Sequence, residues 1–457
     1  MDERFDVVIV GLGPAGSSLA YFLRNSGLKV VGLDLVGWDG IWGKPCGDAI
    51  GRHHFEETGL PTPKGEALRN IVKGIDIYSP SEEIKLRVEG EGYIINRNAY
   101  GRYLLEEAMS GGVEVRLQSF VVKPVFSNGR LAGVEYKDLK TGEKKVVGAN
   151  VVVDATGTSQ VIRRKLPRDW PAHELLKDVD ANLAYRRIVD LDREIEDYHY
   201  IRIYVNQDIA PGGYWWYFPE GPTSVNVGLG VQHGRGYPHP KTIFEEKLLP
   251  RKELQRIVRV RSDAGALVPT RRPANTLVWD NFLGIGDNGF TVNPIHGGGM
   301  GYAMTAAYYS AKRIVEAAET GDYSARGPLW KVNIDYNKHI GAKQASLDIF
   351  RIYLQTVSND VIEWGLRAGI VDAAKAYNIS SEGELEVEPS VLDKLGLVVR
   401  NLTALRRLLQ LRTVASYMKS VKKLYLEYPE TPDGLPGWVQ RVESLYAEFK
   451  KKIGVDW

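Results

Sequence analysis

Cysteine is what the chain has least of: one, Cys46, in 457 residues. A single thiol excludes an intramolecular disulfide framework and any zinc or iron–sulfur site built from cysteines, so no metal is expected. An excess of either charge is missing as well. Lysine and arginine number 59 against 57 aspartates and glutamates, a formal net charge of +2, so no global field draws the chain onto nucleic acid. No apolar run reaches the roughly 18–20 residues of a membrane span. The charged start, MDERFD, leads straight into VVIVGLGPAG, with neither the apolar stretch nor the cleavage site of a signal peptide. The expectation is a soluble cytoplasmic protein of two or three domains, at about 100–200 residues each.

Glycine is plentiful, at 48 residues, as in backbones folded closely around ligands. The order of elements says where. Asp6–Val10 (DVVIV) is a short β-branched run suited to a strand buried on both faces. GLGPAG follows, then SSLAYFLRNSG at helical spacing, then a second strand ending at Asp34: a βαβ unit. Gly11, Gly13 and Gly16 form G-x-G-x-x-G, which gives a tight turn, a close backbone approach to a pyrophosphate and close helix packing, with the phosphate at the positive helix end. Asp34, 18 residues beyond Gly16, stands where a carboxylate accepts from ribose hydroxyls. These features fit FAD and NAD alike. Val151–Asp154 and Phe282–Asp287 read as further buried strands. Residues 180–265 read as strands rich in Tyr and Trp, residues 70–95 as extra strands, and the chain beyond about 302 as helical.

The reading is α/β (α+β overall): a Rossmann-like dinucleotide domain from 1–70, 93–165 and 270–325, a β-sheet substrate domain from 71–92 and 166–269, and a helical C-terminal region, 326–457.

The segment GDNGFTVNPIHGGGMG (286–301) resembles the flavin-contacting motif of the p-hydroxybenzoate hydroxylase-type flavoproteins. The resemblance implies FAD, with Asp287 on the ribityl chain and Gly297, Gly299 and Met300 at a helix N-terminus facing the flavin, where free N–H groups and the helix dipole suit negative charge. DATGTSQVIRRKL (154–166) resembles the hydroxylases' D-G motif but carries Thr156 and Gln160 where they have other residues, while Gly157 and Arg163 are kept. That departure argues against a hydroxylase driven directly by NADPH.

PGGYWWYFP (211–219) resembles the P-x-x-Y-x-W-x-F-P pattern of the geranylgeranyl reductases, and KPCGDAI (44–50) that family's cysteine segment. GALVPTRRP (265–273) and the helical tail extend the likeness along almost the whole chain, toward the archaeal enzymes that saturate digeranylgeranylglycerol phospholipids. The resemblance implies reduction of isolated double bonds in geranylgeranyl chains of a prenylated glycerolipid, by hydride from reduced FAD plus a proton. It implies further FAD contacts from Ala15, Cys46, Gly47, Ala49, Arg97, Val121 and Gly157, beside Gly11, Gly13, Gly16 and Asp34. Cys46, Tyr214 and Trp216 are the expected catalytic residues; Tyr214, Trp216, Phe218 and His54 are expected to line the substrate cavity. An isolated alkene accepts hydride poorly, and a cation built on it by protonation is better met in an apolar slot by aromatic faces than by a carboxylate. In an alternating strand Tyr214 and Trp216 share one face, Trp215 and Tyr217 the other.

His53 and His54 lie on the helical stretch AIGRHHFEETG, where a histidine near the flavin relays protons near neutral pH or is a helix-surface group, and His296 lies near the flavin by position alone. Arg271 and Arg272 are candidates for a substrate phosphate. An external electron donor, ferredoxin-like by family analogy, is also expected. Residues 400–427 carry seven Lys/Arg and one acidic residue. With an apolar stripe of Leu402, Leu405, Leu409 and Val414, this stretch reads as a basic helix for peripheral contact with the membrane's inner face, or as one packed on the body. Two alternatives stand beside the reductase: a flavin-dependent aromatic hydroxylase or halogenase, and an FAD-carrying lipid-binding protein without turnover.

Overall fold

The computed structural model describes residues 3–386 and 402–457. The first strand, Glu3–Val10, lies between Val30–Leu33 and Lys144–Asp154 in parallel register, with Val10 level with Leu33 and Asp154. Its alternation explains the unbroken apolar run. Val7 and Ile9 pack with the helices Pro14–Leu23, Arg97–Ser110 and Met300–Thr320, whereas Val8 and Val10 pack with Val121, Leu131, Val134 and Tyr136 of a β-hairpin on the other face. Phe282–Gly284 continues the parallel set beside Lys144–Asp154. The carboxyl ends of these strands therefore share one edge, where open α/β sheets bind ligands.

The strand expected over Phe282–Asp287 is shorter. Gly286 turns to φ +68° and residues Gly286–Gly289 form a tight helical turn, because the chain must leave the sheet there to bring Asp287 forward.

A second eight-stranded sheet runs in the order Ile257–Val268, Asn182–Leu191, Ser224–Gln232, Tyr214–Pro219, Tyr200–Tyr204, Leu68–Tyr78, Lys85–Ile95, Ala49–Gly51. Ala49–Gly51 comes from the stretch read as part of the dinucleotide domain, and it ties the Cys46 loop to this sheet. One face carries Tyr185, Trp215, Tyr217 and Leu229, covered by Ile243, Phe244 and Leu248 of a helical segment. The other presents Val72, Ile94, Ile201, Trp216 and Phe218, with Tyr214 packed beside them.

The C-terminal helices Ala342–Leu354, Leu402–Leu426 and Leu435–Ile453 share a core through Leu347, Leu408, Leu411, Val414, Met418, Trp438 and Val442. This corrects the expected lipid-facing stripe. Val414 is buried in that core while Leu409 is 52% exposed; the side chains of Leu402 and Leu405, and residues 400–401, lie outside the described residues. The inward stripe is Leu408–Leu411–Val414–Met418–Val421–Tyr425, whose three- and four-residue spacing is that of one helix face. No helix among the described residues is long and apolar enough to cross a membrane.

Candidate functional site

The glycine turn is built as its spacing requires. Gly11 has φ +89°, and a Cβ there would meet the carbonyl oxygen of Ala155 at 2.7 Å. A Cβ on Gly16 would meet the Gly11 carbonyl oxygen at 1.9 Å, whereas one on Gly13 would meet nothing within 4 Å. Gly13 precedes a helix with Pro14 in its first turn and no side-chain cap, so free N–H groups face open space where a pyrophosphate fits. Asp34 accepts from the N–H of Leu12 at 2.5 Å and of Val36 at 3.0 Å. Burial raises its pKa, opposed by those same N–H groups. The strand bearing Val121 begins beside it, since the N–H of Ser119 donates to the Asp34 carbonyl at 2.7 Å.

Across the edge, Gly157 (φ +64°) lies over Asp287, where a Cβ would stand 3.9 Å from that of the aspartate. Asp287 is paired with Lys44 at 2.5 Å, a partner the sequence reading did not identify. A Cβ on Gly299 would come within 3.2 Å of the Asp287 carboxylate. The motif loop from Asn293 to Met300 thus delivers Gly297, Gly299 and Met300 to one uncapped helix start. Arg97 is buried; its Nη1 donates to the Lys44 carbonyl, while its Nε makes no hydrogen bond and lies 3.9 Å from the Asp48 carboxylate. A buried guanidinium nitrogen without a hydrogen bond, beside an uncapped helix and a glycine cradle, is what a bound polar cofactor satisfies. The residues fit FAD.

The aromatic strand meets this edge. Tyr214 donates its hydroxyl to the His296 carbonyl at 2.5 Å, and burial, then the neighbouring Cys46, raises its phenol pKa. Trp216 lies over Gly228, where a Cβ would meet its ring at 2.6 Å. A Cβ on Gly47 would meet the Phe218 ring at 2.8 Å, so the Cys46–Gly47 loop rests on the aromatic strand. Asn226, in the adjacent strand, donates to the Cys46 carbonyl at 2.8 Å and to Asp48 at 2.9 Å, and accepts from Trp216 Nε1 at 3.0 Å. Cys46, Gly47, Tyr214, Trp216 and Phe218 therefore form one assembly. Ala49 opens the short strand that ends it.

His54 is buried against Gly301 and Tyr302: a Cβ on Gly301 would meet its ring at 2.1 Å, and its Nδ1 has no partner. Burial, then His53, holds it well below the usual histidine range. Burial also lowers His296, to about 4.

One expectation changes. Arg271 pairs with Glu174 at 2.7 Å and Arg272 is buried against Tyr425 and Glu443; both are held by the protein's own acceptors and have no side open to a substrate phosphate. Arg163 is fully buried, donating to Asn288 and the Ala172 carbonyl. Gln160 holds the chain at Glu174 and Leu176. These side chains brace the loops of the site. Among the described residues no cluster has the composition of a metal site.

Asp48, Asn226 and Lys44 are the residues that sequence reasoning missed. The available signal was Asn226, a polar residue inside the apolar run SVNVGLGV, since a buried amide demands partners.

Comparison with known proteins follows the same lines. The model of the family described as the geranylgeranyl reductase catalytic domain matches residues 180–265. A digeranylgeranylglycerophospholipid reductase of Sulfolobus acidocaldarius is 44% identical over 98% of this chain and 99% of its own. One of the two so named from Methanopyrus kandleri is 31% identical over 70% of this chain and 80% of its own. Among solved structures, a geranylgeranyl bacteriochlorophyll reductase-like protein of Thermoplasma acidophilum superposes with a TM-score of 0.73 at 23% identity, covering 90% of this chain and 99% of that one. A flavin-dependent brominase does so at 0.64 and 16%, over 87% and 99%; both likenesses speak to the fold.

Proposed function

The chain belongs to the digeranylgeranylglycerophospholipid reductases, and from that premise we propose that it saturates the isolated double bonds of geranylgeranyl chains on a glycerophospholipid. It is an FAD-dependent oxidoreductase of carbon–carbon double bonds. The observation that carries the reading is the assembly of Tyr214, Trp216 and Phe218 against the Cys46–Gly47 loop, joined to the flavin-type motif through Tyr214 and the His296 carbonyl.

Gly11, Gly13, Ala15 and Gly16 receive the pyrophosphate, with Asp34 at the ribose and Val121 at the adenine. Arg97, Gly157, Asp287 and the N–H groups of Gly297, Gly299 and Met300 hold the flavin half, beside Cys46, Gly47 and Ala49. FAD held there in its reduced form would supply the hydride. The face made by Val72, Ile94, Ile201, Trp216 and Phe218 takes the prenyl chain and keeps water from the double bond. Trp216 and Tyr214 meet the positive charge that grows on carbon as the proton is added, and Cys46 delivers that proton. His54, neutral and apolar in its setting, closes the cavity wall. In this reading the labour divides as 1–70, 93–165 and 270–325 for FAD, 71–92 and 166–269 for the lipid, and 326–457 helical, except that Ala49–Gly51 and residues 68–70 and 93–95 join the lipid-side sheet. Restoring the two electrons that each double bond consumes would fall to an external electron donor, ferredoxin-like by family analogy.

The test is anaerobic: flavin reduced with dithionite, digeranylgeranylglyceryl phosphate added, and flavin absorbance followed with lipid mass. Reoxidation with a gain of two hydrogens per double bond is expected. Flavin that stays reduced beside unchanged lipid would overturn the reading.

A further inference from the structure

Asn226 is wholly buried in an otherwise apolar strand, and its side chain joins three parts of the site. Nδ2 donates to the Cys46 carbonyl and to Asp48, and Oδ1 accepts from the Trp216 indole. The indole N–H is a donor only, and a carbonyl and a carboxylate are acceptors only. A flipped amide would place its oxygen against two acceptors and its NH₂ against a donor. The Trp216 indole, the Cys46 carbonyl and the Asp48 carboxylate therefore select one orientation together, and the carboxylate is the charged member of the three.

Asp48 itself is 6% exposed and sits at φ +62°, left-handed backbone that a non-glycine residue adopts only when its surroundings hold it there. The charges facing it come from separate elements: Arg97 at the start of its helix, 3.9 Å away, Arg186 on strand Asn182–Leu191, and Glu220 just past the aromatic strand. Burial is the largest influence and raises its pKa to about 6; the two arginines and the Asn226 amide oppose the rise, and Glu220 adds to it.

We propose that Asp48 and Asn226 are positioning residues of the reaction centre: ionised Asp48 locks the Asn226 amide, and the amide fixes the Trp216 indole and the Cys46 backbone against each other. The proposal deepens the reductase reading and rests on it only for the identity of the reaction. Loss of the lock displaces the indole from the double bond without emptying the apolar face, so it reaches turnover more than lipid binding. Misplacement of a positioned group by an ångström costs up to about a hundredfold in rate.

Because Cys46 is the one cysteine, its alkylation reports this loop alone and needs no lipid. The experiment follows iodoacetamide labelling of the FAD-loaded protein by mass between pH 5 and 8, in wild type, Asp48→Asn, Asn226→Leu and the double variant. An anion disfavours ionisation of a neighbouring thiol, so Asp48→Asn is expected to label about three- to tenfold faster at pH 7 and to lack the inflection near pH 6 that is expected of wild type. In turnover, Asn226→Leu is expected to lower kcat at least about tenfold with KM within about twofold. The double variant is expected to do no worse, since Asp48 acts through Asn226. Asp48→Asn is nearly isosteric and keeps an acceptor, so it remains informative if Asn226→Leu fails to fold. Labelling profiles of wild type and Asp48→Asn that superimpose, or additive losses in the double variant, would overturn the proposal. Absence of lipid reduction by wild type would overturn the reductase reading and leave the labelling result to decide this one.

Discussion

At neutral pH Asp48 is an ionised carboxylate in a place that resists ionisation. Its pKa is raised from an ordinary 3.8 to about 6, so between those values the folded chain binds more protons than the unfolded one. The sign follows: the contribution of Asp48 to stability is complete below about pH 4 and is lost as pH rises through 6. A shift of this size corresponds to roughly 2–3 kcal/mol at 1.36 kcal/mol per pKa unit. Replacing Asp48 by Asn is therefore expected to stabilise the holoenzyme by up to that amount at pH 8 and by almost nothing at pH 4, read from urea unfolding at the two pH values. Equal increments at both would show that the carboxylate is not strained by burial. A group that weakens the fold at working pH and still sits where the polar links of Cys46, Asn226 and Trp216 meet fits a functional placement better than a structural one.

Between elements, the helical tail is held to the rest by charge as well as by apolar packing. Arg271 and Arg351 both approach Asp180, Arg271 also pairs with Glu174, and Arg351 with Asp348. Arg271 and Arg351 are almost wholly buried, with side-chain exposures of 5% and 4%. Removing one partner of such a pair leaves an uncompensated buried charge, at about 3–5 kcal/mol. Glu174→Ala is expected to destabilise by that amount, whereas Glu174→Met combined with Arg271→Met should recover much of it, both measured by thermal unfolding. A single variant as stable as wild type would mean that Asp180 alone neutralises Arg271.

This network marks the limit of what the residues alone disclose. Asp6–Val10 was legible because its alternate side chains enter two apolar layers, and the glycine turn because Gly11 and Gly16 admit no Cβ. The facing of Tyr214 and Trp216 followed from strand geometry. The pairing of Asp48 with Asn226, 178 residues apart, was not legible, since each polar residue looks ordinary until the loop is laid on the sheet. Arg271 and Arg272 misled for the same reason: a basic pair in sequence suggests an anionic ligand, and only the fold supplies Glu174 and Glu443 instead.

For the whole molecule, a protein with a net charge of +2 must still reach the prenylated glycerophospholipid proposed above. Helix Leu402–Leu426 turns its apolar stripe inward, so insertion of that stripe is not the route. Its opposite face leaves Arg406, Arg412, Lys419 and Lys423 exposed, while Lys422 is engaged by Glu384 and Arg407 lies over Trp364. We propose that this basic face meets an anionic lipid surface. Each such charge contributes about 1 kcal/mol near an anionic bilayer and is screened within a Debye length of about 8–10 Å. Co-sedimentation with vesicles containing an anionic phospholipid is expected at low salt, to weaken steeply as salt rises, and to be absent with uncharged vesicles. Reversing Arg406, Arg412, Lys419 and Lys423 to glutamate should abolish it while leaving the labelling of Cys46 as in wild type, because these side chains lie on the solvent face of a helix whose opposite face makes the core. Binding that ignores both salt and the reversal would place the lipid contact elsewhere, with the apolar face around Trp216 as the next surface to test.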